Sequence, residues 1–425
     1  MRRAAANAFD SGWRCVRLRG RGNRDGRCHQ QRCSQHRRGK GQQAGVRSHG
    51  VTRQRVCRQV QIAMVGMAAP SRQTDFDRIA AAKKERATAC DADDQRQSHG
   101  PSSPTFRMPR LAIIGAGITG LSTARSLAAH PAFGAASLCL FDKGRRPGGR
   151  LASRETEFGS FDHGVQRALL GEPAAQIHGA GTLRAWPAAD SLSESPSWIA
   201  EPTMNRLAQA WSQGLDCRCS VTVTGLARDG HQWRLGFDRE QDDALFDQVL
   251  LTIPTPQALA LLGTAGIENA ALSAVRYQPN WTVMWTPSIP LPPTADHWAG
   301  TANDPIAWLA REDLKPGRVG PPRLTIQASA AWSIEHLERP ADEVAARLIS
   351  IAAEVLGLPA DARPIYASAH RWRYAFVEQP IGVAAFELAP GLYYASDACL
   401  GSNVAQALSA GEAAAALIGA NIDNA

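Results

Sequence analysis

Over residues 1–107 the apolar positions follow neither a helical nor a strand period, and Arg, Gln, Ser and Gly dominate. Such a stretch cannot bury enough apolar surface to build a core, so it predicts disorder. The pattern changes at Leu111. Leu111-Ala112-Ile113-Ile114 is a continuous apolar run, as a strand covered on both faces requires. A helical stretch follows over residues 121–130, and a second apolar strand, 138–141, ends on Asp142. Residues 167–187 carry little pattern and predict a surface loop and a short helix. Residues 202–211 then predict an amphipathic helix. Residues 217–224 and 231–237 predict a hairpin turning at Arg228-Asp229-Gly230. Residues 246–254 predict one buried strand returning to the first sheet, with a helix over 256–262.

Residues 265–384 read differently. Strands at 281–285, 306–311, 324–328 and 364–373 are separated by Pro- and Gly-rich turns, beside one helix at 341–356. The chain closes with a strand over 391–397, a loop at Gly401-Ser402-Asn403 and an Ala-rich helix over 404–418. Together these predict an α/β fold with an inserted antiparallel-sheet α+β domain. The expected divisions are 1–107 as a basic extension or upstream sequence, then 108–168, 200–264 and 385–425 as three parts of a nucleotide-binding domain. Residues 169–199 form a substrate-side loop and cap segment, and 265–384 the substrate domain.

Charge separates the first stretch from the rest. Residues 1–107 hold 23 Lys+Arg and 8 Asp+Glu, whereas 108–425 hold 24 and 31. Three readings of the basic stretch compete: a nucleic-acid-binding tail, an organelle presequence, or translation beginning at Met108. The last is favoured, because Met108 lies just before the first strand. Cys28, His29, Cys33 and His36 match no common zinc spacing, and the four cysteines beyond residue 107 show neither a disulfide nor a metal pattern. No metal is therefore expected. Nor is any apolar run long enough to span a membrane, and the expected compartment is the cytoplasm.

The chemistry concentrates between Arg110 and Arg150. Gly115-Ala116-Gly117-Ile118-Thr119-Gly120 stands between a strand and a helix, and Asp142 closes the next strand 22 residues on. Gly115 provides a tight turn, Gly117 close approach of a pyrophosphate, and Gly120 close packing of helix on strand. The amides opening the helix at Ile118 and Thr119 face the phosphates, and Asp142 suits a ribose hydroxyl. Lys143, Arg145 and Gly148-Gly149-Arg150 add a second Gly-rich basic loop, with an arginine fork suited to a pyrophosphate. Such a loop separates flavin from nicotinamide as the dinucleotide.

These motifs resemble those of the flavin amine oxidase superfamily. With FDHGVQ (Phe161 to Gln166), YQPNWTVMW, AHRWRYA and SDACLGSNVAQALSAGEAAAALI, the stretch from Met108 to about Ile418 resembles its renalase-like branch, particularly the bacterial members. The resemblance implies non-covalent FAD and a Rossmann-like domain with p-hydroxybenzoate hydroxylase-like topology. It implies that Gly164, Val165 and Gln166 bring backbone against the isoalloxazine. Asp397 then lies near the ribityl chain or phosphates, and the helix opening at Val404 stabilises charge on the reduced ring. It also implies hydride transfer to flavin N5 with O2 as acceptor, from dihydronicotinamide dinucleotides other than the normal isomer.

Within that frame His163, Trp281, Arg371 and Tyr374 are the candidate substrate-side residues. Aromatic walls would hold a flat ring, and Arg371 or Arg373 would meet a substrate phosphate. The chain departs from the branch in three places. Ser396 precedes Asp397, the helix start often carrying a glutamate reads VAQA here with Gln406 nearby, and the segment after Gln166 is shortened. Two alternatives stay open, an amine oxidase or desaturase acting on a small amine, and a catalytically silent flavin-binding protein. The folded body is expected to bind neither nucleic acid nor membrane.

Overall fold

Strand β1 (Leu111–Ile114) is apolar throughout because it is covered on both sides. Leu111 and Ile113 enter one core, with Leu121, Leu127 and Leu408; Ala112 and Ile114 enter another, with Phe141, Val249 and Leu262. The computed structural model describes residues 108–171, 181–186, 197–238, 244–293, 295–301, 303–359 and 362–423, all within the unit His99–Ala425. The expectations for residues 1–107 lie outside these.

β1 continues into α1 (Ile118–Ala128) and β2 (Leu138–Asp142). A tight hairpin, β3 (Ser153–Thr156) and β4 (Gly159–Asp162), follows the second glycine loop. Three short strands, β5 (Ala168–Leu169), β6 (Leu183–Ala185) and β7 (Ser197–Ala200), make a small antiparallel sheet in the order β5-β7-β6. Strands thus stand at 168–169 and 183–185, where a loop and short helix are expected, because each pairs with an edge of β7. After α2 (Asn205–Ser212) comes β8 (Asp216–Cys219), which pairs in parallel with β2. The hairpin expected from residue 217 is instead β9 (Val223–Asp229) with β10 (Gln232–Phe237).

The expected long strand over 246–254 divides in two. β11 (Ala244–Phe246) joins the hairpin, and β12 (Gln248–Leu251) lies beside β1. α3 (Thr255–Thr264) and α4 (Ala270–Ala274) lead to the second large sheet. That sheet is antiparallel, in the order β14-β15-β16-β13-β17: β13 (Tyr277–Pro287), β14 (His297–Ala299), β15 (Ile306–Arg311), β16 (Leu324–Ala328) and β17 (Pro364–Val377). α5 (Ala330–Glu335) and α6 (Ala341–Val355) pack on one face of it. The chain then returns through β18 (Phe386–Ala389) and β19 (Leu392–Tyr394) to complete the first sheet, β18-β19-β12-β1-β2-β8. It ends in α7 (Asp397–Leu400) and α8 (Val404–Asp423).

α8 crosses α1 closely. A side chain at Gly411 would overlap the carbonyl of Thr119, and Thr123 Oγ1 donates to Gly411 O at 2.9 Å. This crossing fixes the last helix over the first glycine turn. Among the described residues no helix is long and apolar enough to cross a membrane.

Candidate functional site

The glycine turn after β1 has the shape a dinucleotide needs. Gly115 has φ +112°, and its amide bonds Phe141 O at 2.8 Å, which locks the turn to the end of β2. A Cβ at Gly120 would overlap Gly115 O, so helix and turn meet there without a side chain between them. Gly117 is the opposite case: a Cβ there would meet nothing within 4 Å, so its backbone faces open space. Ile118 and Thr119 open α1 beside that space, although their side chains pack inward.

Asp142 closes the other side of the turn. Its Oδ2 accepts from Ala116 N at 2.8 Å and its Oδ1 from Gly144 N at 2.7 Å, leaving each oxygen a lone pair for a hydroxyl. Burial raises its carboxyl above the ordinary range, and the two amides oppose that shift. Lys143 is exposed. Gly149 lies 3.5 Å from Gly117 Cα, measured from where its Cβ would stand, so the two glycine loops share one opening.

Arg150 links this opening to the chain's far end. Its Nη1 donates to Asp397 Oδ2 at 2.7 Å and to the carbonyls of Tyr374 and Ala375 at 3.2 and 3.0 Å. Asp397 opens the one-turn helix α7 rather than ending a strand, with Ser396 capping it through Ala398 N. Ser402 also donates to Asp397 Oδ2. Asp397 Oδ1 is buried and has no partner among the described residues, an acceptor waiting for a donor. Val404 is buried against α1, so only its backbone amide can serve a ligand. The open cradle at Gly117, the unfilled acceptor capacity of Asp142 and the orphaned Asp397 oxygen all fit FAD. Asp142 would hold its ribose, the turn amides its pyrophosphate, and the Arg150–Asp397–Ser402 group the linking chain.

Gly164 needs to be glycine for chain packing. A Cβ there would overlap Arg150 O, and Val165 N bonds that same carbonyl at 2.8 Å. The stretch 163–167 then crosses one face of the antiparallel sheet. Gly164 O accepts from Gln327 Nε2 at 2.8 Å, and His163 O from Trp372 Nε1 at 2.8 Å. The Arg167 guanidinium lies 4.6 Å from the Trp308 ring centre. Cross-strand register puts His370, Thr282, Gln327 and Trp308 in one row beneath this stretch.

Strand alternation separates the four substrate-side candidates. Trp281 and Arg371 are paired neighbours on the opposite face, toward the helices. Trp281 is 2% exposed and donates to His336 O at 3.0 Å; Arg371 donates to Leu337 O and Glu338, and Arg373 also pairs with Glu338. The structure therefore does not bring Trp281 or Arg371 to His163. Tyr374 stays near the cofactor end, its ring 5.5 Å from Tyr277. His163 packs with His370 at 5.0 Å and Trp372 at 5.8 Å between ring centres. Burial, followed by the charges of His370 and Arg154, pushes His163 down to about 3, and burial also lowers His370.

Gln166 leads to a buried ion cluster that sequence reading missed. Its Oε1 accepts from Lys315 Nζ at 3.3 Å, and its Nε2 donates to Asp162 O. Lys315 also pairs with Asp162 at 3.2 Å and Glu312 at 3.0 Å, and Arg318 pairs with the same two carboxylates. The four side chains are at most 1% exposed. No local pattern tied Asp162 to the others, because Lys315 and Arg318 lie about 150 positions away from it.

A family model for flavin containing amine oxidoreductases matches residues 188–419, more than half the chain. The chain belongs to the flavin-containing amine oxidoreductases. It is an FAD-dependent oxidoreductase, and a model for NAD(P)-binding Rossmann-like domains matches residues 113–177. Solved structures share the fold at low identity. A proposed protoporphyrinogen oxidase from Exiguobacterium sp. 255-15 aligns with TM-score 0.58 and 15% identity, over 74% of this chain and 99% of that one. Cyclohexylamine oxidase from Brevibacterium oxydans IH-35A aligns at 0.55 and 11%, over 75% and 100%. Putrescine oxidase bound to putrescine aligns at 0.53 and 10%, over 75% and 99%.

Proposed function

We propose that this flavoenzyme oxidises a dihydronicotinamide, taking the hydride from a carbon beside the ring nitrogen, with O2 as acceptor and H2O2 as product. FAD, held non-covalently, supplies the hydride acceptor at N5. The observation that carries the reading is the character of the wall beneath residues 163–167. It presents Thr282, Gln327, Trp308, His370 and Trp372, none of them acidic. Asp162 and Glu312, in the ion cluster that Gln166 leads to, are each held by Lys315 and Arg318.

A protonated amine would find no counter-ion on this wall. His163 and His370 are poor bases, since burial disfavours their protonated forms. A dihydronicotinamide suits such a site, because it gives up a hydride without losing a proton and needs orientation more than a base. The side chains then hold the ring flat and keep water out.

The test is anaerobic titration of the flavin-loaded chain with dihydro-NAD isomers, and separately with cyclohexylamine and putrescine, following the visible flavin band. Bleaching by a dihydro isomer, reversed by air with H2O2 formed, is expected. Bleaching by the amines alone would replace this reading with an amine oxidase. A flavin that no donor bleaches would favour a silent flavin-binding protein.

A further inference from the structure

Arg154 stands on β3 with no carboxylate partner among the described residues; its one hydrogen bond is from Nη1 to Ser368 Oγ at 2.7 Å. Side chains such as this, half-buried in a protein, usually find an acid. Its cross-strand partner Phe161 stacks on Tyr366 with ring centres 5.5 Å apart, which aims this side of the hairpin at β17. Tyr366, Ser368, His370 and Trp372 alternate along that strand and share the face turned toward the hairpin.

His163 completes the group. It is 8% exposed, and its Nδ1 is buried without a partner among the described residues. Its ring meets His370 edge-on, and both imidazoles feel the charge of Arg154. One cation, a hydroxyl and two imidazoles thus converge with no acid among them. Asp162, next to His163 in sequence, is committed to Ser153, Lys315 and Arg318. Such a set of donors lacks only an oxyanion.

We infer that Arg154, His163, Ser368 and His370 form an oxyanion subsite that receives a phosphate of the electron donor. The subsite lies nearer the start of β17 than Arg150, which bonds the carbonyls of Tyr374 and Ala375, so it is separate from the cradle for the cofactor's own pyrophosphate. This inference rests on the dihydronicotinamide reading for the identity of the donor, though not for the presence of the subsite. Arg154 and Ser368 act by positioning: they hold the phosphate end while the ring meets the flavin.

Two measurements on the flavin-loaded full chain test it. The first compares kcat/KM for a dihydronicotinamide dinucleotide with that for the phosphate-free dihydronicotinamide riboside. Arg154→Met should lower the dinucleotide-to-riboside ratio by about 10- to 100-fold, the range for losing a charge-assisted hydrogen bond. Arg154→Lys should restore part of it and Ser368→Ala should lower it less. An unchanged ratio in both Arg154→Met and Ser368→Ala would overturn the subsite, even if overall activity fell.

The second measurement needs no turnover. Calorimetry with inorganic pyrophosphate should show binding to the flavin-loaded native chain and at least tenfold weaker binding to Arg154→Met. Binding that survives Arg154→Met unchanged would refute the assignment. Binding of succinate with no binding of pyrophosphate would refute phosphate as the occupant. If no dihydro isomer bleaches the flavin yet pyrophosphate binds through Arg154, the proposed substrate fails while the subsite stands.

Discussion

Gly117 and Gly120 sit three positions apart and answer to different constraints. Gly120 has no room for a methyl group, whereas Gly117 has nothing near it and an ordinary φ of −75°. Gly120→Ala is expected to destabilise the protein by about 1–3 kcal/mol or more through overpacking, with or without cofactor. Gly117→Ala should leave the melting temperature of the cofactor-free chain unchanged and weaken FAD binding. Thermal melts of the apoprotein and flavin titrations separate the two. Equal destabilisation by both substitutions would remove Gly117 from the cofactor cradle. Both roles could be read from the sequence, because the spacing of a glycine turn is local. The orphaned oxygen of Asp397 could not, since its surroundings come from Arg150, 247 positions earlier.

At the scale of elements, strand parity was written in the sequence. Asn280-Trp281-Thr282-Val283-Met284-Trp285-Thr286 alternates, and Trp281, Val283 and Trp285 enter the core beneath α6 while Asn280, Thr282 and Thr286 face the other way. Reading that alternation would have set Trp281 and Arg371 on the face away from His163, and His370 and Trp372 beside it. Residue chemistry alone, an arginine for a phosphate or a tryptophan for a ring, ignored which face each occupied. The buried cluster of Asp162, Glu312, Lys315 and Arg318 joins the β3–β4 hairpin to the β15–β16 connection.

Burial alone would raise Asp162, but Arg318 and Lys315 prevail and hold it down at about 2. A carboxyl lowered in the folded state adds stability above its unfolded pKa and loses it as pH falls toward the folded value. Asp162 should therefore contribute about 2–3 kcal/mol near neutrality that disappears between roughly pH 4 and 2. Asp162→Asn should lower the urea midpoint at pH 6 sharply and flatten its decline on acidification. A parallel decline in both proteins would assign the acid sensitivity elsewhere.

At the scale of the molecule, the proposed cofactor site draws on residues 115–120, 142–150 and 397–404, while the 163–167 stretch binds it to the antiparallel sheet. A ligand touching three distant stretches of chain should stabilise the whole. FAD at a hundredfold excess over its Kd adds about 2.7 kcal/mol, and a melting shift on the order of 5 °C is expected in a single transition. Two transitions, with only one moved by FAD, would show the sheets unfolding separately.

The sequence by itself determined the nucleotide-binding half. Its signals are local: apolar runs for doubly covered strands, glycines where backbone meets phosphate, and an acid closing a strand. It also marked the strands of the second sheet. Tertiary structure decided which face of those strands packs against residues 163–167. It also brought Lys315 and Arg318 to Asp162, and left Arg154 among donors with no acid. Those contacts join residues more than 150 positions apart, and packing makes them where neither periodicity nor composition leaves a trace.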